Sequence, residues 1–177
     1  MSKILAMLFS FLLTSSVFAQ QSAIYESQNM LTGEITYEEH KKQGNTVVSI
    51  NRTTKEVIDV TTCTEDETFC TIKSKYADVT MKVPFDVVSL PPGSVINGIL
   101  TIKPIKERVV LVHTVTIGSV MFNGKKIIGM RSTDGTIEST VLMSNTRKMP
   151  SWAENKIFSP EGDLLEHEII RRIDVEI

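Results

Sequence analysis

Gly118-Ser-Val-Met-Phe-Asn-Gly-Lys-Lys-Ile-Ile-Gly-Met-Arg-Ser-Thr-Asp-Gly-Thr-Ile-Glu-Ser-Thr-Val-Leu-Met-Ser144 is the stretch that decides the fold. Asn123-Gly124 is a two-residue hairpin signal, because both residues tolerate the positive φ that a type I′ turn demands. Thr133-Asp134-Gly135 marks a second turn close behind. The flanking segments are short and rich in Val, Ile and Thr. They read as a three-stranded antiparallel meander over 118–122, 125–131 and 136–144.

The same rhythm runs outward in both directions. Strands are expected over 34–40, where Ile35 and Tyr37 share a side, and over 46–51, 56–63, 69–74, 76–83, 95–102 and 108–117. Lys41 to Asn45 reads as a loop, and Gly98 in mid-strand marks a bulge or bend. Ser89-Leu90-Pro91-Pro92-Gly93 is the strongest break in the chain. It is taken as a loop within one domain, since either half alone would be a thin sheet with an uncovered face. Ser151-Trp152-Ala153-Glu154 has capping-box spacing and predicts one helical turn. The last element, 163–177, fits a strand or a helix; the turn chemistry of Ser159-Pro160-Glu161-Gly162 and the β-branched tail favour a strand. The fold class is therefore all-β, an antiparallel meander of about ten strands with at most one short helical segment near 151–155. Such a sheet must curl into a barrel or half-barrel, or fold into a two-layer sandwich, to hide its apolar face.

The N-terminus speaks to compartment. Met1-Ser2-Lys3 is a basic start, Ile4 to Leu13 is apolar except for Ser10, and Thr14 to Ala19 ends in small residues. This is the pattern of a secretory signal peptide over residues 1–19, cleaved after Ala19. The apolar run is too short to span a bilayer, and no other stretch is long enough. Residues 20–177 are then a single β-rich domain, periplasmic or secreted. The residue after the cleavage point, Gln20, is not the cysteine a lipid anchor would require. Cys63 and Cys70 flank an acidic tip, Glu65-Asp66-Glu67, in what reads as a hairpin. Facing strands would bring the two thiols together, so a structural disulfide is expected.

Nineteen basic and 21 acidic side chains leave the chain near neutrality. That argues against a nucleic-acid partner, which would need a basic face. No nucleophile elbow, phosphate loop, dinucleotide fingerprint or zinc-binding His-Glu-x-x-His is present. His40, His113 and His167 are scattered, and in a strand His167 points away from Glu166 and Glu168. No catalytic residue, metal site or cofactor is expected.

Candidate binding residues come from the faces. His113 shares a side with Val109, Leu111, Val115 and Ile117. In the last strand Arg171 and His167 share a side with Leu165, Ile169, Ile173, Val175 and Ile177, while Glu166, Glu168 and Arg172 lie opposite. An inward arginine needs a carboxylate, a water-filled lumen or an anionic ligand. Arg171, His167 and His113 are thus expected to floor an apolar pocket for an acidic amphiphile. The alternative is a bulge between Leu164 and Arg171 that turns the arginine outward, with His113 a core histidine. Trp152, beside Met149 and Pro150, is expected either as a lid or partner contact, or as a plug for one end of the sheet. The function expected is an exported, non-enzymatic binding protein for a small apolar or amphipathic ligand. The alternative is an envelope protein-protein interaction or assembly module with a solid core.

Overall fold

The computed structural model describes residues 21–144 and 150–174. The leader-like segment 1–19, Met149, Val175 and Ile177 lie outside these residues. Twelve strands follow one another within the described chain: β1 (Gln21–Asn29), β2 (Ile35–Gln43), β3 (Thr46–Asn51), β4 (Val57–Cys63), β5 (Phe69–Ser74) and β6 (Ala77–Lys82), then β7 (Val95–Pro104), β8 (Leu111–Phe122), β9 (Lys125–Ser132), β10 (Ile137–Met143), β11 (Pro150–Phe158) and β12 (Leu164–Arg172). Each pairs antiparallel with its neighbours in sequence. β1 also pairs with β12, so the meander closes into a barrel.

The decisive meander forms as its residues dictate. Asn123 and Gly124 take φ of 47° and 73°, the two positive values of a type I′ turn. At the next turn Asp134 Oδ1 accepts from Ser132 Oγ at 2.6 Å and from Thr136 Oγ1 at 2.7 Å. A disulfide joins Cys63 and Cys70, which are register partners across β4 and β5. That bond is compatible with an oxidising compartment.

Three local expectations are corrected. The helical turn at 151–154 is instead part of β11. Pairing on both sides, to β10 and to β12, satisfies more backbone groups than one capped turn could. β2 runs on to Gln43, so Lys41 and Lys42 are strand residues. The strands expected over 108–117 and 118–122 are one, β8, which begins only at Leu111 and leaves 108–110 outside it, while β1 and β11 are additional, giving twelve strands rather than about ten.

Gly98 is neither a bulge nor a bend. β7 and β8 stay in unbroken register past it. A Cβ there would stand 2.8 Å from Val83 Cγ1 and 3.0 Å from the Lys82 carbonyl oxygen. The glycine admits the buried Val83 against the sheet. Gly98→Ala should therefore cost about 1–3 kcal/mol through overpacking, measured as a lower urea midpoint with an unchanged slope.

Residues 83–94 cap the barrel end at which β6 leaves and β7 enters. Val83, Val87 and Leu90 are buried. The Gly93 amide donates to Ser119 O at 2.6 Å. Lys126 Nζ donates to Val88 O, and burial holds its ammonium below the usual lysine range. The proline-rich break at 89–93 belongs to this cap.

The barrel's inner wall divides into two arcs. On β5 to β9 the inward residues are mainly apolar, among them Ile72, Val79, Leu100, Ile102, Val115 and Ile128. On β1 to β4 and β10 to β12 the buried positions include Ser27, Glu38, His40, Ser49, Asp59, Asn155, Glu166 and Arg172. The outer wall carries charge in mid-strand: Glu39 of β2 lies 3.4 Å from Lys41, and Glu154 of β11 lies 3.0 Å from Lys156.

Candidate ligand-binding site on the inner wall

The polar arc explains why the face of β12 reads wrongly from hydrophobicity. Its strand alternation places Glu166, Glu168, Ile170 and Arg172 inward and Leu165, His167, Ile169 and Arg171 outward. The expectation that Arg171 and His167 face inward is corrected. Where the interior is polar, the apolar stripe no longer marks the inner side, and a one-residue slip exchanges the faces. The same inversion holds in β2: Ile35 and Tyr37 are exposed, and Glu38, His40 and Lys42 are buried.

The four candidates from sequence do not converge. Arg171 is exposed on the outer wall, in register with Trp152 of β11 and Glu26 of β1. His167 is also outward, its Nε2 2.8 Å from Glu154 Oε1. Burial alone would raise the Glu154 carboxyl, but Lys156 and His167 together hold it below the ordinary range. His113 lies on the inward-facing side of β8, well along the barrel from the cap, with Nδ1 3.0 Å from Asp134 Oδ2. Hydrogen bonds led by that of Ser132 keep the Asp134 carboxyl well below the usual carboxylate range. Trp152 is half-buried on the outer wall, where it lines a shallow groove with Phe122, Ile127 and Leu142.

A different set of residues meets inside. Ser27 Oγ donates to Glu168 Oε1. Ser139 Oγ donates to Asn155 Oδ1 at 2.7 Å, and the Asn155 amide donates to the Glu168 carboxylate. His40 Nε2 is 3.0 Å from Glu38 Oε2, and its ring is tilted against that of Tyr25 at 4.7 Å between centroids. Tyr25 Oη donates to Pro150 O at 3.1 Å, and burial pushes its phenol far above the ordinary value. The Arg172 guanidinium, held on two nitrogens by Asp174 at 2.6 and 3.1 Å, is the inward arginine of this strand. Burial pushes the Glu166 carboxyl up to about 7. Glu168 is pushed up to about 7 as well, by burial first and then by the nearby charges of Glu38 and Glu166.

Hydrophobicity selects the wrong faces in the sequence and so passes over Glu38, Glu168, Asn155 and Arg172. A signal is present in the period-two row Glu38, His40, Lys42 and in Glu166, Glu168, Ile170, Arg172. Each puts several charges on one side of a strand. Among the described residues no group of three His, Cys, Asp or Glu is arranged to hold a metal ion. The arrangement offers buried hydrogen-bond acceptors beside an apolar wall.

The described chain belongs to the class of closed up-and-down antiparallel barrels. No protein-family model matches the chain, and comparison with curated proteins and with solved structures found no match.

Proposed function

We propose that this is an exported, non-enzymatic carrier, periplasmic or secreted, that holds one small amphipathic ligand inside the barrel. The observation that carries the reading is the division of the inner wall. A side-chain-filled barrel is typical of about eight strands, and the interior widens with strand number. Here twelve strands are lined partly by small residues such as Ala23, Ser49, Ala77, Ser119 and Ala153. An apolar arc suits a chain, and a polar arc suits a head. The leader-like residues 1–19 and the disulfide support export.

The charged outer wall supports a barrel that stands in water. At the midplane of a bilayer a lipid-facing charge is costly, about 2–4 kcal/mol for Lys or Arg and less for Asp or Glu, and Glu39 and Glu154 lie at the middle of outward-facing strands with Lys41 and Lys156 beside them. Among the described residues no helix is long and apolar enough to cross a membrane.

A second reading, an envelope interaction or assembly module, is favoured by one observation. The outer groove of Phe122, Ile127, Leu142 and Trp152 is apolar, and Phe122 is 64% exposed. Native mass spectrometry of protein purified from its own host, with lipid extraction, separates the two. A stoichiometric small molecule is the result expected. A bare protein mass with a co-purifying protein partner would overturn the carrier.

A further inference from the structure

We propose that the barrel interior is built for a cationic head, an ammonium group carried on an apolar chain, seated at Glu166 and Glu168. This rests on the carrier reading and names its ligand class. The two residues are two apart on β12 and so share its inner face. Glu166 is only 5% exposed. Oε2 of each is buried without a hydrogen-bond partner.

A buried polar atom with no partner calls for an explanation, since native proteins pair nearly all of them. Cations and donors of this arc are committed elsewhere. Arg172 is held by Asp174, and His40 faces Glu38. Ser27 serves the other oxygen of Glu168. Among the described residues neither Glu166 nor Glu168 forms an ion pair with a lysine or arginine. An ammonium group brings three N–H donors and the opposite charge, which is the complement of two neighbouring carboxylate oxygens. A carboxylate or phosphate head would instead add another negative charge to a region that already holds Glu38, Glu166 and Glu168.

The strand register supplies the path for the chain. Glu168 stands opposite Asn155, Asn155 opposite Ser139, Ser139 opposite Met130 and Met130 opposite Ile117. One continuous row around the wall therefore passes from carboxylate through amide and hydroxyl to thioether and branched aliphatic side chains. A ligand lying along it would meet acceptors at one end and apolar surface at the other.

The test uses three probes of one chain length, dodecylamine, dodecanol and dodecanoate, each below its micellar concentration. They are titrated calorimetrically into the delipidated exported protein and into its Glu166→Gln/Glu168→Gln variant. Dodecylamine should bind once per barrel and at least about ten-fold tighter than dodecanoate, the scale of one hydrogen bond to a charged group. The variant should lose that preference and keep its affinity for dodecanol. Equal or tighter binding of dodecanoate by the unmodified protein, or amine binding unchanged in the variant, would overturn the head-group assignment and leave the carrier standing. Binding of none of the three would overturn both. The ranking of probes on the unmodified protein decides the matter even if the variant fails to fold.

Discussion

The ligand-free protein is expected to gain stability as pH falls from 8 to about 5.5, and Glu168→Gln to remove a large part of that gain. The sign follows from where the proton is bound. Burial and the adjacent Glu38 and Glu166 charges push the Glu168 carboxyl in the folded protein up to about 7. The unfolded chain has an ordinary value near 4.5. Between these values the folded state holds a proton that the unfolded state has released. Stability is then fully present below the lower value and is lost as pH rises through the upper one. A tenfold difference in proton affinity between the folded and unfolded chain is worth about 1.4 kcal/mol, so the full effect at Glu168 is on the order of 3 kcal/mol. For a domain of this size that is a melting shift of roughly 6–12 °C.

Glu166 acts in the same direction. The carboxyls held low, at Asp66, Asp134, Glu154 and Asp174, lose their stabilising effect only at more acid pH and leave this window alone. Thermal melts of the unmodified protein and of Glu168→Gln at pH 5.5, 7 and 8 make the measurement, and their difference cancels the groups that do not interact with Glu168. Glu168→Gln should be the more stable protein at pH 8. Parallel melting curves across the range would mean that no uncompensated carboxylate lies in the wall.

The second large effect is expected at the disulfide. Opening the short loop between Cys63 and Cys70 should cost roughly 2.5 kcal/mol by the chain-entropy relation, or about 5–10 °C in melting temperature. Both cysteines are buried, at 6% and 3% exposure, so the Cys63→Ala/Cys70→Ala variant also loses some packing. The turn they bracket is partly self-ordered. Asp66 Oδ1 accepts from Thr64 Oγ1 at 2.5 Å and from Thr68 Oγ1 at 2.9 Å, so the reduced hairpin keeps its shape and the entropy figure is an upper one. Reduction of the unmodified protein with dithiothreitol should reproduce most of the loss. A melting temperature indifferent to reductant would show that β4 and β5 are held by their ladder alone.

Much of the fold is legible in the sequence because it rests on local chemistry. The Asn123-Gly124 and Thr133-Asp134-Gly135 turns, the alternation around them and the paired cysteines each act within a few residues. What is not legible depends on the far side of the molecule. β1 carries a weak pattern, Gln-Ser-Ala-Ile-Tyr-Glu-Ser-Gln-Asn, and is held by partners at both ends of the chain. β11 presents a capping-box spacing that two flanking strands override. The face of β12 follows the polarity of a lumen that no single strand reveals, and this is why hydrophobicity selects Arg171 where Arg172 points inward. The carboxylates on either side of His167 are plain in the sequence, but the side of the wall they face is not.

The join between β1 and β12 also has a bearing on biogenesis. Ser27 and Glu168 meet across a sequence separation of 141 residues. Until β12 has emerged, β1 and β11 each expose a raw ladder of amides and carbonyls, the usual template for intermolecular strand addition. Seam formation is the most distant contact in the topology and so a natural slow step. A nascent or truncated chain ending before residue 164 should therefore demand chaperone protection and tend to polymerise, whereas the sealed cylinder leaves no edge strand among its twelve.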